Sequence, residues 1–260
     1  MSDHPPLPGL VPDWPVTAAV RGFVTVREGG VSAGPFGAAG GAARGLNLGD
    51  HVGDDPVAVR ENRARLEARL PGPVRWLRQV HGTAVHDADA SAPAAPVVAD
   101  AAITTRPGTV IAVMTADCLP VLMADARGRG VGVAHAGWRG LAAGVLEATV
   151  DAMRARLGGD APLQAWLGPA IGPAAFEVGN EVREAFCALD ASAARAFVPG
   201  PAPGKWLADL YALARLRLAS RGVTDVSGGG LCTVTDATRF YSHRRDRPSG
   251  RLASLVWLAR

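Results

Sequence analysis

The sequence of 260 residues has few cysteines, a single lysine and no long apolar run. Its three cysteines, Cys118, Cys187 and Cys232, are odd in number and far apart, which argues against a framework of disulfide bonds. No stretch approaches the roughly 18 apolar residues that a membrane-spanning helix requires. Residues 1–15 also lack the apolar segment of a signal peptide. These absences predict a cytoplasmic protein without a membrane partner.

A strong charge of one sign is also lacking. Lys and Arg number 27 against 24 Asp and Glu, for a formal net charge of +3 at pH 7. No stripe of Arg with interleaved aromatic residues occurs, which argues against nucleic acid as a partner. The Pro-rich residues 1–15 are predicted to form a surface tail, and residues 16–260, which contain no linker, a single domain. These features leave the oligomeric state open.

Short apolar runs alternate with amphipathic segments, which predicts an α/β (mixed α+β) protein. Three neighbouring runs predict buried strands at residues 110–114, 119–123 and 130–133. Other strands are predicted at 16–26, 76–80, 163–167, 223–227 and 252–258, and helices at 54–70, 141–157, 180–189 and 206–220. Residues 33–43 are nearly all Gly, Ala and Pro, which predicts a mobile loop.

The residues that could support chemistry lie where predicted strands end. Asp117 and Cys118 separate the first two central strands, His135 follows the third, and His81 follows the strand at 76–80. Strand ends can meet at one edge of a sheet, where open α/β folds place their sites. Two imidazoles and a thiol suit Zn²⁺, with a fourth position open to water or substrate.

The same residues also allow chemistry without a metal. Cys118 could be a thiolate nucleophile activated by His81 or His135, as in a Cys–His hydrolase. Asp117 could orient an imidazole in either case. The spacing of these residues does not decide between the two, because no established metal motif is present.

An anion-binding group is predicted beside them. Arg139 lies at the expected start of a helix, where free backbone N–H groups and a guanidinium bind anions. Arg44 and Asn47 could add donors from the glycine-rich side. Arg244, in the polar loop 240–246, is either a further contact or a solvated surface charge.

The motifs together resemble the laccase-domain family, which has been called polyphenol oxidase, peptidoglycan editing factor and purine nucleoside phosphorylase. The resemblance extends from about residue 16 to the end and rests on Arg27-x-Gly29-Gly30-Val31-Ser32, Asn47-Leu48-Gly49, Gln79-Val80-His81-Gly82, Thr115-Ala116-Asp117-Cys118-x-Pro120, His135-Ala136-Gly137-Trp138-Arg139-Gly140, Gly168-Pro169-x-Ile171-Gly172, Cys232-Thr233 and Ser242-His243-Arg244-Arg245-Asp246. Departures are small: Val26 replaces the usual Thr, His243 replaces a common Tyr, and the segment 33–43 is longer than usual.

The resemblance implies a layered α/β/α/β sandwich similar to cysteine-hydrolase-like toxins, with zinc on His81, Cys118 and His135. It implies phosphorolysis of adenosine, inosine, guanosine and S-methyl-5′-thioadenosine, together with adenosine deamination. Purine nucleosides and phosphate are the expected partners, and Gln79 joins the candidates for substrate binding. An amide hydrolase that edits a peptidoglycan precursor is the alternative.

The laccase name can be tested against the residues. A multicopper oxidase needs a blue copper site and a trinuclear cluster built from many further imidazoles. The chain has six histidines, one of them His4 in the tail, so the sequence cannot supply that cluster. Cu²⁺ could still enter the His₂Cys set. Deamination needs a metal-activated water, and phosphorolysis needs an anion pocket, for which Arg139 and Arg44 are available.

Overall fold

A computed structural model describes residues 7–90 and 95–260. The strands are β1 (Gly9–Leu10), β2 (Val20–Thr25), β3 (Glu28–Ser32), β4 (Val74–Arg75), β5 (Leu77–Arg78), β6 (Val85–Asp87), β7 (Val97–Val98), β8 (Ala101–Thr104), β9 (Val110–Thr115), β10 (Leu119–Asp125), β11 (Val131–Ala136), β12 (Leu163–Leu167), β13 (Glu177–Gly179), β14 (Phe197–Pro199), β15 (Lys205–Ala208), β16 (Asp225–Gly228) and β17 (Leu252–Leu258). The helices are α1 (Pro56–Glu67), α2 (Trp138–Ala143), α3 (Val145–Leu157), α4 (Asn180–Cys187) and α5 (Leu210–Ala219).

Two large sheets form the centre of the fold. The first has the strand order β1-β2-β17-β9-β4, and the second has the order β16-β12-β10-β11-β8-β6. Apolar residues alternate between the faces of each strand. Ile111 of β9 packs in one cluster with Val133 of the second sheet, whereas Ala112 packs on the other face with Leu66 of α1. The two sheets therefore share a buried interface.

The outer face of the second sheet packs against the remaining helices. Val121 of β10 lies in one cluster with Leu146 of α3 and Leu213 of α5. The layers thus follow the order α/β/β/α. The mixed α/β class is confirmed, but the α/β/α/β order is wrong, because each sheet has two apolar faces and buries one of them against the other sheet.

Local sequence explains where most helices begin and end. The Asp55 carboxylate accepts a hydrogen bond from the Val57 N–H, and Pro56 occupies the first turn of α1. The predicted helix at 141–157 is divided into α2 and α3 by Gly144, whose φ of 103° interrupts the helix. The helix predicted from 206 begins only at Leu210, because β15 pairs with both β13 and β14.

Two segments of low complexity are more regular than their composition indicates. Residues 33–43 contain two short 3₁₀ turns, Gly34–Phe36 and Ala39–Gly41, and Phe36 is buried. Part of the predicted tail joins the first sheet, since β1 pairs with β2. The rest of that prediction, with His4, falls on residues 1–6, outside the described residues. No helix in the described ranges has the length and apolarity needed to cross a bilayer.

Candidate metal centre

Cys118 lies where the chain passes from the first sheet to the second. β9 ends at Thr115 in one sheet, and β10 begins at Leu119 in the other. β10 pairs antiparallel with β11, with Pro120 opposite His135. This register brings the thiol to the end of β11, beside the imidazole. The predicted meeting of these two side chains at one sheet edge is confirmed.

His81 reaches the same point from the loop after β5. Gln79 fixes that loop, because its amide donates to the Met114 carbonyl at 2.8 Å and accepts from the Met114 N–H at 2.7 Å. Met114 belongs to β9, so the loop is attached to the strand that leads to Cys118. His81 has a φ of 61°, in the left-handed region that non-glycine residues seldom adopt. Such strained positions occur where the surrounding structure determines the conformation, often at functional sites.

The three side chains converge closely enough to hold one ion. One potential ligand atom from each of His81, Cys118 and His135 lies within 4.8 Å of the others. The Cys118 Sγ is 3.7 Å from the His81 Nε2. Zinc bonds of about 2.3 Å to sulfur and 2.0–2.1 Å to nitrogen, at a tetrahedral angle, would place these two atoms about 3.6 Å apart. The donor set therefore fits a zinc-sized ion.

Gly137 permits this convergence. A Cβ at this position would lie 2.7 Å from His81 Cδ2 and 2.9 Å from Cys118 Sγ, closer than real Cβ contacts. The surroundings are asymmetric, because His135 is buried, Cys118 is partly buried and His81 is exposed. A metal in this position would be open to solvent on the His81 side, which is typical of catalytic rather than structural zinc.

Asp100 is the organising residue that the sequence did not reveal. Its fully buried carboxylate is 2.8 Å from the Nδ1 of His135 and accepts hydrogen bonds from three successive backbone N–H groups, those of Val80, His81 and Gly82, at 2.7–3.1 Å. One side chain thus fixes the His135 ring and the His81 backbone together. A carboxylate on Nδ1 leaves Nε2 as the His135 atom available to a metal.

When no metal is bound, the electrostatics of the centre favours a Cys118 thiolate paired with a His135 imidazolium. Burial raises the pKa of Cys118, but the charge and hydrogen bonds of His135 and His81 outweigh it and lower the pKa to about 6. Burial lowers the pKa of His135, but the Cys118 thiolate and the Asp100 carboxylate raise it to about 9. The pKa of Asp100 is lowered: burial opposes ionisation, and the hydrogen bonds from His135 and the backbone overcome that opposition. Cys118 is therefore a thiolate at neutral pH.

This state has a measurable consequence. In chelator-treated protein we expect Cys118 to react with iodoacetamide at a rate that stays near its plateau at pH 7 and falls as the pH drops through about 6. Zinc should block the reaction, because the metal holds the thiolate. Peptide mapping by mass spectrometry measures the rate at Cys118, with Cys187 as an internal reference. Equal alkylation of Cys118 with and without zinc would contradict the assignment of Cys118 as a ligand.

The role of Asp117 differs from the predicted one. Its carboxylate accepts hydrogen bonds from the Thr233 hydroxyl and the Arg244 N–H, both at 2.6 Å, and the imidazole partner is Asp100. The expectation that Asp117 orients an imidazole is therefore wrong. Asp117, at a φ of 92°, attaches the turn that contains Cys118 to the loop around Thr233 and Arg244. This contact joins segments more than 100 residues apart, which sequence spacing does not show.

The predicted anion-binding residues lie in varied settings. Arg139 is exposed at the start of α2, with its guanidinium over the Trp138 ring, and Arg44 is exposed at a φ of 100°. Arg244 directs its guanidinium to the Glu177 carbonyl. The Gln79 amide is occupied by Met114, as described above.

Asn47 is fully buried. Its amide bonds to Gly49, to the Asp54 carboxylate and to the backbone N–H of Arg251. Arg251 directly precedes β17, whose Leu252 pairs with Thr115 of β9. Burial lowers the pKa of the Arg251 guanidinium, and the negative charges of Cys118 and Asp117 oppose that shift. The guanidinium donates to the carbonyls of Ser249 and Gly250, so Arg251 is a cation held beside the start of β17 that the sequence did not indicate.

The fold and the centre together are those of a metal-binding α/β protein. Two packed sheets are flanked by helices, and a His₂Cys group suited to a transition metal lies where the chain crosses between the sheets. Within residues 7–90 and 95–260, this is the one group of His, Cys, Asp or Glu side chains placed to hold a metal ion. The family model described as multi-copper polyphenol oxidoreductase laccase matches residues 21–259. The chain belongs to this family, as its motifs predict.

Individual relatives match over nearly their whole length. The chain is 57% identical to a purine nucleoside phosphorylase of Pseudomonas aeruginosa, covering 96% of this chain and 98% of the relative. It is 51% identical to the purine nucleoside phosphorylase YfiH of Escherichia coli, with the same coverage. A crystal structure of a Neisseria meningitidis protein is 48% identical, with a TM-score of 0.88 over 97% of this chain and 99% of that one.

Proposed function

We propose that the chain is a zinc-dependent purine nucleoside phosphorylase. It would convert adenosine, inosine, guanosine or S-methyl-5′-thioadenosine and phosphate to the free base and the ribose 1-phosphate, and would also deaminate adenosine. The observation that carries this proposal is the convergence of His81, Cys118 and His135 on a solvent-open point. The names of the two relatives above support purine nucleosides and phosphate as substrates, and the individual nucleosides and the deamination rest on the resemblance of the motifs.

The residues of the chain have separable parts in this proposal. His81, Cys118 and His135 hold the ion, and Asp100 keeps the proton of His135 on Nδ1. A zinc ion there would supply Lewis-acid stabilisation of developing negative charge and would lower the pKa of water. Copper can occupy the same ligands, since Cu²⁺ binds such sites more tightly than Zn²⁺.

Phosphate is proposed to bind beside the centre. Arg139 is two residues after Gly137, the residue that leaves room for His81 and Cys118, and its exposed guanidinium is free of ion pairs within the described residues. Arg44 and Arg251 would add positive charge from the other side. We also propose that Asn47, Gln79 and Arg244 contact the substrate. To do so, each side chain would have to replace a hydrogen bond within the protein with one to the substrate.

Replacing Arg139 with alanine is expected to raise the phosphate KM by about tenfold to 100-fold, because a hydrogen bond to a charged group contributes roughly 1.5–3 kcal/mol. Adenosine deamination, which uses no phosphate, should change less. Steady-state kinetics of both reactions measure the difference. The matched control is Arg195→Ala, an exposed arginine in the helical turn Ala191–Ala196. An unchanged phosphate KM in Arg139→Ala would exclude Arg139 as the phosphate ligand.

One observation favours a second function, amide hydrolysis. Without metal, Cys118, His135 and Asp100 form a thiolate, an imidazolium and a carboxylate in the order of a Cys–His–Asp triad. Such a triad could act on an amide in a peptidoglycan precursor. A covalent substrate adduct on Cys118 in active, metal-free protein would favour this function over phosphorolysis.

The experiment that separates these functions uses inosine. We expect hypoxanthine and ribose 1-phosphate to appear in equal amounts, and only when phosphate is present. Free ribose formed without phosphate would indicate a nucleosidase, and no release of base would contradict the proposal. A parallel incubation with adenosine tests deamination through the formation of inosine and ammonia.

A further inference from the structure

The fold contains a cavity in addition to the His₂Cys centre. It has a volume of about 520 Å³ and is bounded by the glycine-rich turns between Gly34 and Gly41 on one side and by Arg245–Pro248 on the other. Its walls include none of the three proposed metal ligands. The volume falls within the roughly 300–1,000 Å³ typical of pockets for small molecules.

The walls of this cavity are positively charged. Three arginines, Arg27, Arg245 and Arg247, face one acid, Asp246. Arg245 is occupied within the fold, because its guanidinium bonds to both carboxylate oxygens of Asp246 and to the carbonyls of Thr233, Val234 and Phe240. Arg27 and Arg247 therefore supply charge that the single acid does not balance.

Arg27 is the central cation. It is 6% exposed, and its guanidinium packs over the ring of Tyr241. Nε donates to the Gly37 carbonyl at 2.8 Å and Nη1 to Asp246 at 3.2 Å, whereas Nη2 has no hydrogen bond to the described part of the chain. This nitrogen is not one of the buried polar atoms that lack a partner, so it reaches solvent, where it can donate to a partner. An anion in the cavity would be such a partner.

The opposite wall is built mainly from glycines. Gly34, Gly40 and Gly41 have φ values of 59°, 78° and 78°, a conformation that favours glycine. A Cβ at Gly34 or Gly40 would meet no atom within 4 Å, so these glycines are not required by packing. Successive backbone N–H groups in such turns can bind anions. Here the Gly41 N–H already donates to the Ala38 carbonyl, so the charge for an anion comes from the arginines.

We propose that this cavity binds a dianionic phosphate group, carried by a phosphate monoester of nucleotide size, between Arg27, Arg247 and the glycine-rich turns. The lining contains none of the three proposed metal ligands, and the proposal does not depend on phosphorolysis. Two arginine side chains suit a phosphate better than a carboxylate, because a dianionic phosphate balances both positive charges and offers three terminal oxygens, whereas a carboxylate carries one charge and two oxygens. The volume beyond the phosphate accommodates a sugar and a base.

The test is equilibrium binding to the purified full-length protein by calorimetry in phosphate-free buffer at low ionic strength. The probes are 5′-AMP, inorganic phosphate and the uncharged nucleoside inosine. We expect 5′-AMP to bind and Arg247→Glu to weaken it at least tenfold, because the exposed Arg247 makes one hydrogen bond, to His243, and the change reverses a charge in the wall. Phosphate that binds as tightly as 5′-AMP, and with the same dependence on Arg247, identifies free phosphate as the source of the anion.

Further variants are needed in case one substitution unfolds the protein and to control for the change in charge. Arg27→Gln removes bonds to Gly37 and Asp246 and could unfold the protein, so Ala237→Glu serves as the second variant, adding an acid to the wall without removing a bond. Arg60→Glu, an exposed arginine of α1, is the matched charge control and should bind 5′-AMP like the wild type. No binding of 5′-AMP, or equal binding by wild type, Arg247→Glu and Ala237→Glu, would overturn the proposal. Loss of inosine binding in Arg247→Glu would also contradict it. Phosphorolysis is measured separately, so its failure leaves this result standing.

Discussion

Cys118→Ala is expected to lower kcat/KM for inosine phosphorolysis by roughly 10³-fold or more. The thiolate is one of three ligands to the proposed ion, and a bound metal stabilises charge in the transition state by several kcal/mol, where each 1.36 kcal/mol is a factor of ten in rate. The variant should also retain little zinc after dialysis. Elemental analysis and the inosine assay measure both effects on the same sample.

Two further variants define the cause of that loss. Cys187→Ala makes the same change at a partly buried cysteine of α4, outside the metal group, and should keep full activity and zinc. Cys118→Asp should keep part of both, because a carboxylate can replace a thiolate at zinc. An inactive Cys118→Asp that holds a full equivalent of zinc would indicate instead that the thiol itself reacts.

Asp100→Asn is expected to weaken zinc binding by about 10–100-fold, the usual effect of losing a group that orients a metal ligand. It should also lower the free energy of unfolding by about 2–4 kcal/mol. The buried carboxylate accepts from three backbone N–H groups and bonds to His135, and the amide of Asn would bring a donor against one of those donors. Chelator competition and urea denaturation measure the two quantities.

Asp125 provides the matched control for this variant. It is also a fully buried aspartate, but it pairs with Arg129 at the end of β10 remote from Cys118. Asp125→Asn should lower stability while leaving zinc affinity unchanged. Equal zinc affinity in Asp100→Asn and wild type would show that Asp100 serves the fold and has no effect on the metal ligands.

Local patterns predicted the parts of the site that depend on short segments. The apolar runs at β9, β10 and β11 are short and bounded by polar or glycine residues, so the positions of Cys118 and His135 at strand ends followed from the sequence. The hairpin of β10 and β11 then needs only a tight turn to bring the two together. The family motifs independently indicated the same three residues.

The contacts that could not be predicted depend on how strands distant in sequence pair with one another. Asp100 meets His135 because β8 pairs with β11, with Ala101 opposite Ala134, and no local feature of the sequence specifies that pairing. The partners of Asp117 are likewise distant in sequence. The order of the layers depends on which apolar face of each sheet meets the other, and alternation within a strand shows that two faces are buried without showing what covers each.

Titration of metal-free protein with Zn²⁺ is the most direct test of the proposed centre. If His81, Cys118 and His135 bind an ion required for phosphorolysis, hypoxanthine release from inosine in phosphate buffer should rise linearly with zinc and level off at one equivalent. Iodoacetamide labelling of Cys118 should fall along the same curve. Full phosphorolysis in protein shown by elemental analysis to contain no metal would contradict the assignment.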